Sequence, residues 1–174
     1  MTTKRVTVTA YDPQWPAAFE KIRRELDAAL GALALRVEHV GSTSVPGLAA
    51  KPIIDIDVVI RDYAVFPEVV EKLALAGYEH EGNLGIPERE AFRYEGKDHL
   101  QKHHLYVCPQ SSRELNRHLT FRDNLRTHPD AAKRYGEIKT EAARLFPNDI
   151  DSYIRHKSSC IEELYRQCGL EEYR

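Results

Sequence analysis

The sequence predicts an α+β fold, a mixed β-sheet with flanking helices followed by a helical C-terminal region. Residues 53–60 form an almost continuous apolar run, which is typical of a strand covered on both faces. Further strand-like and helical segments alternate up to Pro109, and the pattern after it is mostly helical. Because 174 residues suit one domain and no repeat or Gly/Ser linker interrupts them, we expect a single domain over residues 1–174.

The predicted elements follow from apolar periodicity and from Pro and Gly breaks. Residues 6–9 alternate like a short strand, and residues 15–30 carry apolar side chains at helical spacing. A strand at 35–40 ends at Gly41, and Pro46-Gly47 marks a turn before the strand at 53–60. The remaining predictions are a crossover helix at 66–75, strands at 78–81, 91–95 and 103–108, and helices at 112–128, 131–146 and 150–168.

Composition excludes several classes of partner. The 25 Lys and Arg residues against 27 Asp and Glu give a net charge of -2, which argues against bulk binding to nucleic acid. Charged residues interrupt every apolar run, so we expect no membrane partner. The three cysteines form no Cys-x-x-Cys pair and no secretory leader is visible, which favours a structural role for them and a cytoplasmic location.

One pair of motifs has the spacing of a metal-dependent nucleotide site. The turn Gly41-Ser42-Thr43-Ser44 offers small, hydroxyl-bearing residues that can hold phosphates. Downstream, Asp55 and Asp57 lie two residues apart on the apolar strand, so their side chains share one face about 6–7 Å apart. Charged groups in such a strand are costly unless they are paired or bind metal. The sequence therefore predicts Mg²⁺ between these aspartates, together with ATP or another NTP.

These residues resemble the signature of the GrpB family, whose members resemble the nucleotidyltransferase superfamily. The likeness runs from His39 to Leu48, continues from Lys51 to Asp57, and extends over nearly the whole chain. It implies a minimal nucleotidyltransferase fold in which Gly-Ser contacts nucleotide phosphates and Asp-x-Asp carries Mg²⁺. Supporting stretches are Tyr11-Asp12 with Trp15, Gly77-Tyr78, Gly85-Ile86-Pro87, His103-His104-Leu105, Phe121-Arg122-Asp123, and Tyr153 with Lys157.

Nucleotidyl transfer usually needs a third carboxylate, and the predicted strand at 103–108 contains no Asp or Glu. Many family members carry His-Leu-His here, and Tyr106 stands where the second His would be. We predict His104 as a metal ligand or general base, since a neutral imidazole suits either role near pH 7. The alternative is that His103 and His104 are surface residues of an edge strand.

Four basic residues are candidate ligands for phosphate or acceptor: Lys51, Arg93, Arg122 and Lys157. Each has a structural alternative. Lys51 or Arg93 could pair with the two aspartates, Arg122 could form a salt bridge within its helix, and Lys157 could extend along the surface.

Three functions remain open from the sequence. The first is a Mg²⁺-dependent enzyme that transfers a nucleotidyl group from an NTP to a small-molecule acceptor, or forms an adenylate. The second is a non-catalytic module that binds a nucleotide or a CoA-type ligand. The third is an accessory domain that docks on a partner enzyme, because some GrpB-type domains are fused to dephospho-CoA kinase.

Overall fold

The computed structural model describes residues 5–170 and confirms the predicted α+β class. The helices are α1 (Trp15–Leu30), α2 (Phe66–Leu75), α3 (Arg113–Thr127), α4 (Pro129–Leu145) and α5 (Ile150–Gln167). The strands are β1 (Arg36–Val40), β2 (Ile54–Ile60), β3 (Tyr78–Gly82), β4 (Glu90–Tyr94) and β5 (His103–Pro109). These bounds lie close to the predicted ones. The chain groups into two compact units, a sheet unit of residues 14–41 and 53–118 and a helical unit of residues 5–13, 42–52 and 119–170.

The predicted strand at residues 6–9 is wrong. Only Thr9 makes a β-bridge, to Ala50, whereas the backbone N–H of Val6 donates to the carbonyl of Pro147. The alternating pattern reflects burial, since Val6 packs in a small core with Ala142 and Tyr153. Among residues 5–170, no helix combines the length and apolarity needed to cross a membrane.

The sheet unit contains one mixed five-stranded sheet in the order β1-β2-β5-β4-β3. The central strands β2 and β5 are parallel, and the other neighbouring pairs are antiparallel. Because β5 pairs with β2 on one side and β4 on the other, the alternative that placed His103 and His104 on an edge strand is wrong.

Helices α1 and α2 pack together and supply the core on one face of this sheet. Pro16 stands in the first turn of α1, where its missing N–H leaves no intrahelical bond unmade. Phe19 of α1 stacks on His39 with ring centroids 4.7 Å apart, and Phe66 of α2 meets the ring of Phe92 edge-on. Ile56, which pairs with His39 in the sheet register, is completely buried on this side.

In the helical unit, α4 and α5 pack against each other and against residues 42–52. Gly136 permits that approach, because a Cβ there would lie 3.2 Å from Leu48 Cδ1. The core contains Val45, Leu48, Leu125, Tyr135, Cys160 and Leu164. Asp149 caps α5 by accepting a hydrogen bond from the backbone N–H of Ser152.

Candidate functional site

The face of the sheet opposite α1 and α2 carries the polar residues predicted for the site. In the β2–β5 register Asp55 pairs with His104 and Asp57 with Tyr106. Side chains two residues apart on a strand share a face, so these four side chains lie on the same side of the sheet. The structure thus brings together both predicted metal ligands and the predicted catalytic histidine.

Asp55 lies at the more accessible end of this group. Its Oδ1 is 3.0 Å from Nδ1 of His104, and their side chains are 32% and 50% exposed. Gly41 closes against the same carboxylate with a φ of 72°, and a Cβ there would collide with Asp55 Oδ2. Glycine is therefore required at residue 41, both for the left-handed backbone and for the space beside Asp55.

Asp57 is completely buried and has a partner that the sequence analysis missed. Its Oδ2 lies 2.6 Å from Nδ1 of His118 in the second turn of α3, and Nε2 of His118 lies 3.2 Å from Oε1 of Glu114. Burial alone would lower the pKa of His118, but the hydrogen bonds to the two carboxylates outweigh it and raise that pKa to about 9. The signal in the sequence was Glu114 four residues before His118, a spacing that places both on one side of a helix.

The other oxygen of Asp57 provides a test of whether a metal suits the site. Among residues 5–170, no hydrogen-bond donor reaches Asp57 Oδ1, although this atom is buried. A buried carboxylate oxygen without a donor is costly unless a cation or ligand satisfies it. Two aspartates on one face therefore fit Mg²⁺, which commonly takes one or two carboxylates and completes its shell with water and phosphate oxygens.

The described chain does not provide a complete metal cage. Within residues 5–170, no group of three or more His, Cys, Asp or Glu side chains has a geometry that could hold an ion. Glu38 on β1 pairs with Asp57 in the register, yet its carboxylate lies 3.1 Å from Nη1 of Arg36. A metal at the aspartates would thus take its remaining oxygens from a bound ligand and water.

Two further side chains shape this face. Tyr106 is half-buried, and the Arg89 guanidinium lies 4.3 Å from its ring centroid. Arg93 on β4 is exposed and forms an ion pair with Glu79, at 2.7 Å from Nη2 to Oε1. This contact replaces the pairing with Asp55 or Asp57 that the structural alternative assumed for Arg93.

The helical unit contains the hydroxyl-bearing part of the predicted phosphate turn. Ser42–Ser44 forms a single 3₁₀ turn, in which Ser42 is half-buried and hydrogen bonded to Tyr135. Thr43 and Ser44 are buried, and Nε of Arg126 donates to the backbone carbonyl of Ser44. Ser42 is consequently the most accessible of the three hydroxyls.

Two of the predicted basic ligands meet on one aromatic ring in this unit. The Nζ atoms of Lys51 and Lys157 lie 5.1 Å and 4.6 Å from the ring centroid of Tyr153. Burial, and secondarily the charge of Lys51, lower the pKa of Lys157 to about 8. Arg122 makes the salt bridge that its structural alternative predicted, with Nε 2.9 Å from Oδ1 of Asp123. An anion would relieve the repulsion between the two lysines.

Comparison with known sequences identifies the family. The family described as GrpB protein matches residues 5–167. The chain is 33% identical to the UPF0157 protein YqkA of Bacillus subtilis, covering 91% of this chain and 46% of that protein. It is 37% identical to the UPF0157 protein BH1888 of Halalkalibacterium halodurans, over 94% of this chain and 83% of that one. It is also 34% identical to a dephospho-CoA kinase of Mycolicibacterium paratuberculosis, over 90% of this chain and 44% of the kinase.

Solved structures agree with this assignment. The crystal structure of the conserved protein GrpB from Enterococcus faecalis superposes with a TM-score of 0.81 at 35% identity, over 96% of this chain and 99% of that one. Cid1 poly(U) polymerase with MgGTP bound gives a TM-score of 0.52 at 15% identity, over 76% of this chain and 42% of Cid1. The Cid1 likeness shows a nucleotidyltransferase-like fold and no more. The chain spans less than half of YqkA and of the dephospho-CoA kinase, and it belongs to the GrpB family.

Proposed function

We propose that this protein is a Mg²⁺-dependent enzyme that uses ATP or another NTP to transfer a nucleotidyl group to a small-molecule acceptor, or to form its adenylate. The observation that supports this most is Asp57, a buried carboxylate with one oxygen that no donor reaches among residues 5–170. Cid1, whose crystal structure holds MgGTP, shares the fold and adds weight to a nucleotide as the ligand.

The site residues of the sheet unit would each have a distinct role. Asp55 and Asp57 would hold Mg²⁺, which when bound would neutralise phosphate oxygens and stabilise the charge that develops on the leaving pyrophosphate. His118 fixes the orientation of the Asp57 carboxylate through the 2.6 Å contact. Gly41 leaves the Asp55 carboxylate in place and accessible to the bound nucleotide, because a Cβ at residue 41 would collide with Asp55 Oδ2.

His104 would accept the proton in the transfer step. The acceptor oxygen forms a bond to the α-phosphorus while the bond from that phosphorus to the β-bridging oxygen breaks, releasing pyrophosphate. The hydroxyl proton of the acceptor passes to the imidazole of His104, which Asp55 orients through Nδ1. This role follows from geometry, since His104 is the exposed imidazole on the same face as the aspartates.

In the helical unit, we propose Ser42, Lys51 and Lys157 as phosphate ligands. The two ammonium groups share the ring of Tyr153, and a bound phosphate would bring a negative charge to both of them. Thr43 and Ser44 would support the turn from their buried positions. Arg122 and Arg93, each in an ion pair, would have to exchange a carboxylate for a phosphate.

A transfer assay tests the enzymatic proposal. Wild-type protein would be incubated with α-labelled NTPs, Mg²⁺ and pools of hydroxyl and amine acceptors, and both pyrophosphate and labelled product would be measured. We expect turnover that Asp57→Asn abolishes and Glu71→Gln, a charge change on the exposed side of α2, leaves unchanged. Turnover that Asp57→Asn retains would contradict the proposal.

The second candidate is a module that binds a nucleotide or a CoA-type ligand without chemistry, alone or docked on a partner enzyme. Two observations favour it: the incomplete metal cage within residues 5–170, and the match to a dephospho-CoA kinase over less than half of that enzyme. Saturable Mg²⁺-dependent ligand binding without pyrophosphate release for any acceptor would select this candidate. The free thiols of Cys108, Cys160 and Cys168 are compatible with a cytoplasmic location, which stays a prediction.

A further inference from the structure

The sheet unit contains a pocket of which the roles assigned above use only two lining residues, His104 and Arg93. It measures about 700 Å³ and is bounded by β4, by the connection at residues 95–102 and by β5. His104 and Tyr106 line it, together with the buried Ala91. Pockets of this size commonly hold small organic molecules.

The pocket adjoins the aspartates through shared residues. His104 lines it and contacts Asp55 through Nδ1, while Tyr106 lines it and pairs with Asp57 in the register. A molecule in the pocket would therefore lie beside the groups proposed to hold the metal. If the nucleotide binds at Asp55 and Asp57, the nucleophile must bind in this position to reach it.

The charges around the pocket favour a cationic ligand. The lining has three acids, Glu81, Glu95 and Asp98, and three bases, Arg93, Lys97 and Lys102, but Arg93 is paired with Glu79 and has Glu81 and Glu95 near it. The side chain of Lys97 is only 11% exposed, with its ammonium 4.7 Å from the ring centroid of Tyr78 and 3.8 Å from Glu25.

The positive charge of the pocket lining is weaker than its negative charge. Lys102 is the exposed base that remains among the lining residues, against Glu81, Glu95 and Asp98. Burial raises the pKa of Tyr106, the Arg89 guanidinium opposes this rise, and Asp55, Asp57 and Glu81 add to it, so Glu81 acts inside the pocket as well as at its rim. While Arg93 and Lys97 are paired with Glu79 and Glu25, the acids of the lining favour an amine over an anion.

The rim adds an apolar contact in an unusual backbone conformation. Leu84 has a φ of 51°, which non-glycine residues rarely adopt, and its side chain is 61% exposed. The turn is fixed by Asn83, whose Oδ1 accepts a hydrogen bond from the backbone N–H of Gly85. A strained residue that presents an apolar side chain at a pocket is typical of a ligand contact.

We infer that this pocket binds the acceptor, and that the acceptor is a small amine that also carries the reacting hydroxyl, with its cationic group facing Glu81 and Glu95 and its apolar part contacting Leu84. The role of this molecule as the acceptor rests on the proposed function. The binding of an amine in the pocket does not depend on that function. A nucleobase in the same pocket is the competing outcome. It would stack on Tyr106 without any preference for positive charge.

Three probes of one size and different charge test the inference: 2-phenylethylamine, 2-phenylethanol and 3-phenylpropanoate. Each would be titrated into ¹⁵N-labelled protein without nucleotide, and shifts of the residues at 81–106 would give the affinity. We expect the amine to bind most tightly and the carboxylate least. Glu81→Gln should weaken the amine about threefold, and Leu84→Asn should weaken the amine and the alcohol alike.

Glu71→Gln is the matched control, since it removes an exposed carboxylate of the same unit outside the pocket lining. Equal affinity for all three probes, or equal effects of Glu81→Gln and Glu71→Gln, would overturn the inference. A loss of NTP affinity in Glu81→Gln would also overturn the inference, because it would indicate that the nucleobase binds in this pocket. Mg²⁺-dependent NTP binding is measured separately, so failure of the proposed function leaves the amine result standing and the reverse also holds.

Discussion

The two faces of the sheet use the same strands for opposite purposes. On β2, Ile54, Ile56 and Val58 are completely buried on the side of α1 and α2. Between them, Asp55 and Asp57 point to the other side and meet imidazoles from β5 and α3. One face stabilises the fold through apolar burial, while the other places charges that would be costly without a ligand.

The difference teaches where function resides in this fold. Apolar side chains on the first face would be replaced freely by others of equal volume, whereas each polar side chain on the second has a specific partner. The second face also carries an unsatisfied oxygen, at Asp57 Oδ1, among the residues that the structure describes. Stability and ligand affinity should therefore respond to substitution in different ways on the two faces.

The largest effect on stability is expected on the polar face, from His118→Leu. It would leave the buried carboxylate of Asp57 without its partner, and removing one member of a buried ion pair costs about 3–5 kcal/mol. Urea unfolding would measure this loss. The double variant Asp57→Asn/His118→Leu should recover most of it, and a double variant as unstable as the single one would show that His118 acts through packing alone.

A comparable loss is expected on the apolar face, from Ile56→Ala. Ile56 is fully buried, so the truncation should lower the free energy of unfolding by about 2–5 kcal/mol through lost transfer energy and a cavity. The nucleotide affinity of the folded protein should stay unchanged in calorimetric titration. If folded Ile56→Ala lost much of its nucleotide affinity, the two faces of the sheet would not have separate roles.

Gly41→Ala should have an intermediate effect. The added Cβ would collide with Asp55 and require a left-handed backbone, at a cost of about 1–3 kcal/mol, and it would also displace the carboxylate. We expect weaker Mg²⁺-dependent nucleotide binding together with a lower melting temperature. Gly47→Ala is the control, since Gly47 also has a positive φ but its Cβ would have no heavy atom within 4 Å. Equal losses of affinity in both variants would contradict a specific role for Gly41.

The smallest effect is expected from Lys157 in the helical unit, and it depends on pH. Its pKa in the folded protein, about 8, lies below the ordinary value of 10.5. Below pH 8 the Lys157 side chain is protonated in both the folded and the unfolded protein, so the cost of burying its charge is present in full. Between pH 8 and 10.5 the unfolded chain binds more protons, so the free energy of unfolding rises with pH.

Lys157→Met should remove this rise and make the protein slightly more stable at pH 7, as followed by thermal melting from pH 7 to 10.5. Lys133→Met, at an exposed position on α4, should leave the rise in place. A rise that persists in Lys157→Met would assign it to another group. Inorganic pyrophosphate should stabilise wild type more than Lys157→Met at pH 7 if the lysine pair binds phosphate.

Much of the fold was predictable from the sequence because its helices and strands follow clear periodicities. Helix α2 was predicted with its observed bounds because Pro67 and Gly77 punctuate an apolar pattern. The aspartates and His104 could be found because β2 and β5 are short strands with few polar residues. The contact of His118 with Asp57 could not, since α3 has little apolar periodicity and only the fold brings the two side chains together. The pocket likewise depends on how residues 95–102 fold over β5.

The most direct test of the central claim is calorimetric titration of wild type and Asp57→Asn with ATP, GTP, CTP and UTP, with and without Mg²⁺. Glu71→Gln serves as the control. The account predicts binding of at least one nucleotide that needs Mg²⁺, that Asp57→Asn abolishes and that Glu71→Gln retains, with circular dichroism showing that Asp57→Asn is folded at the titration temperature. No Mg²⁺-dependent binding in wild type, or equal binding by Asp57→Asn, would contradict it.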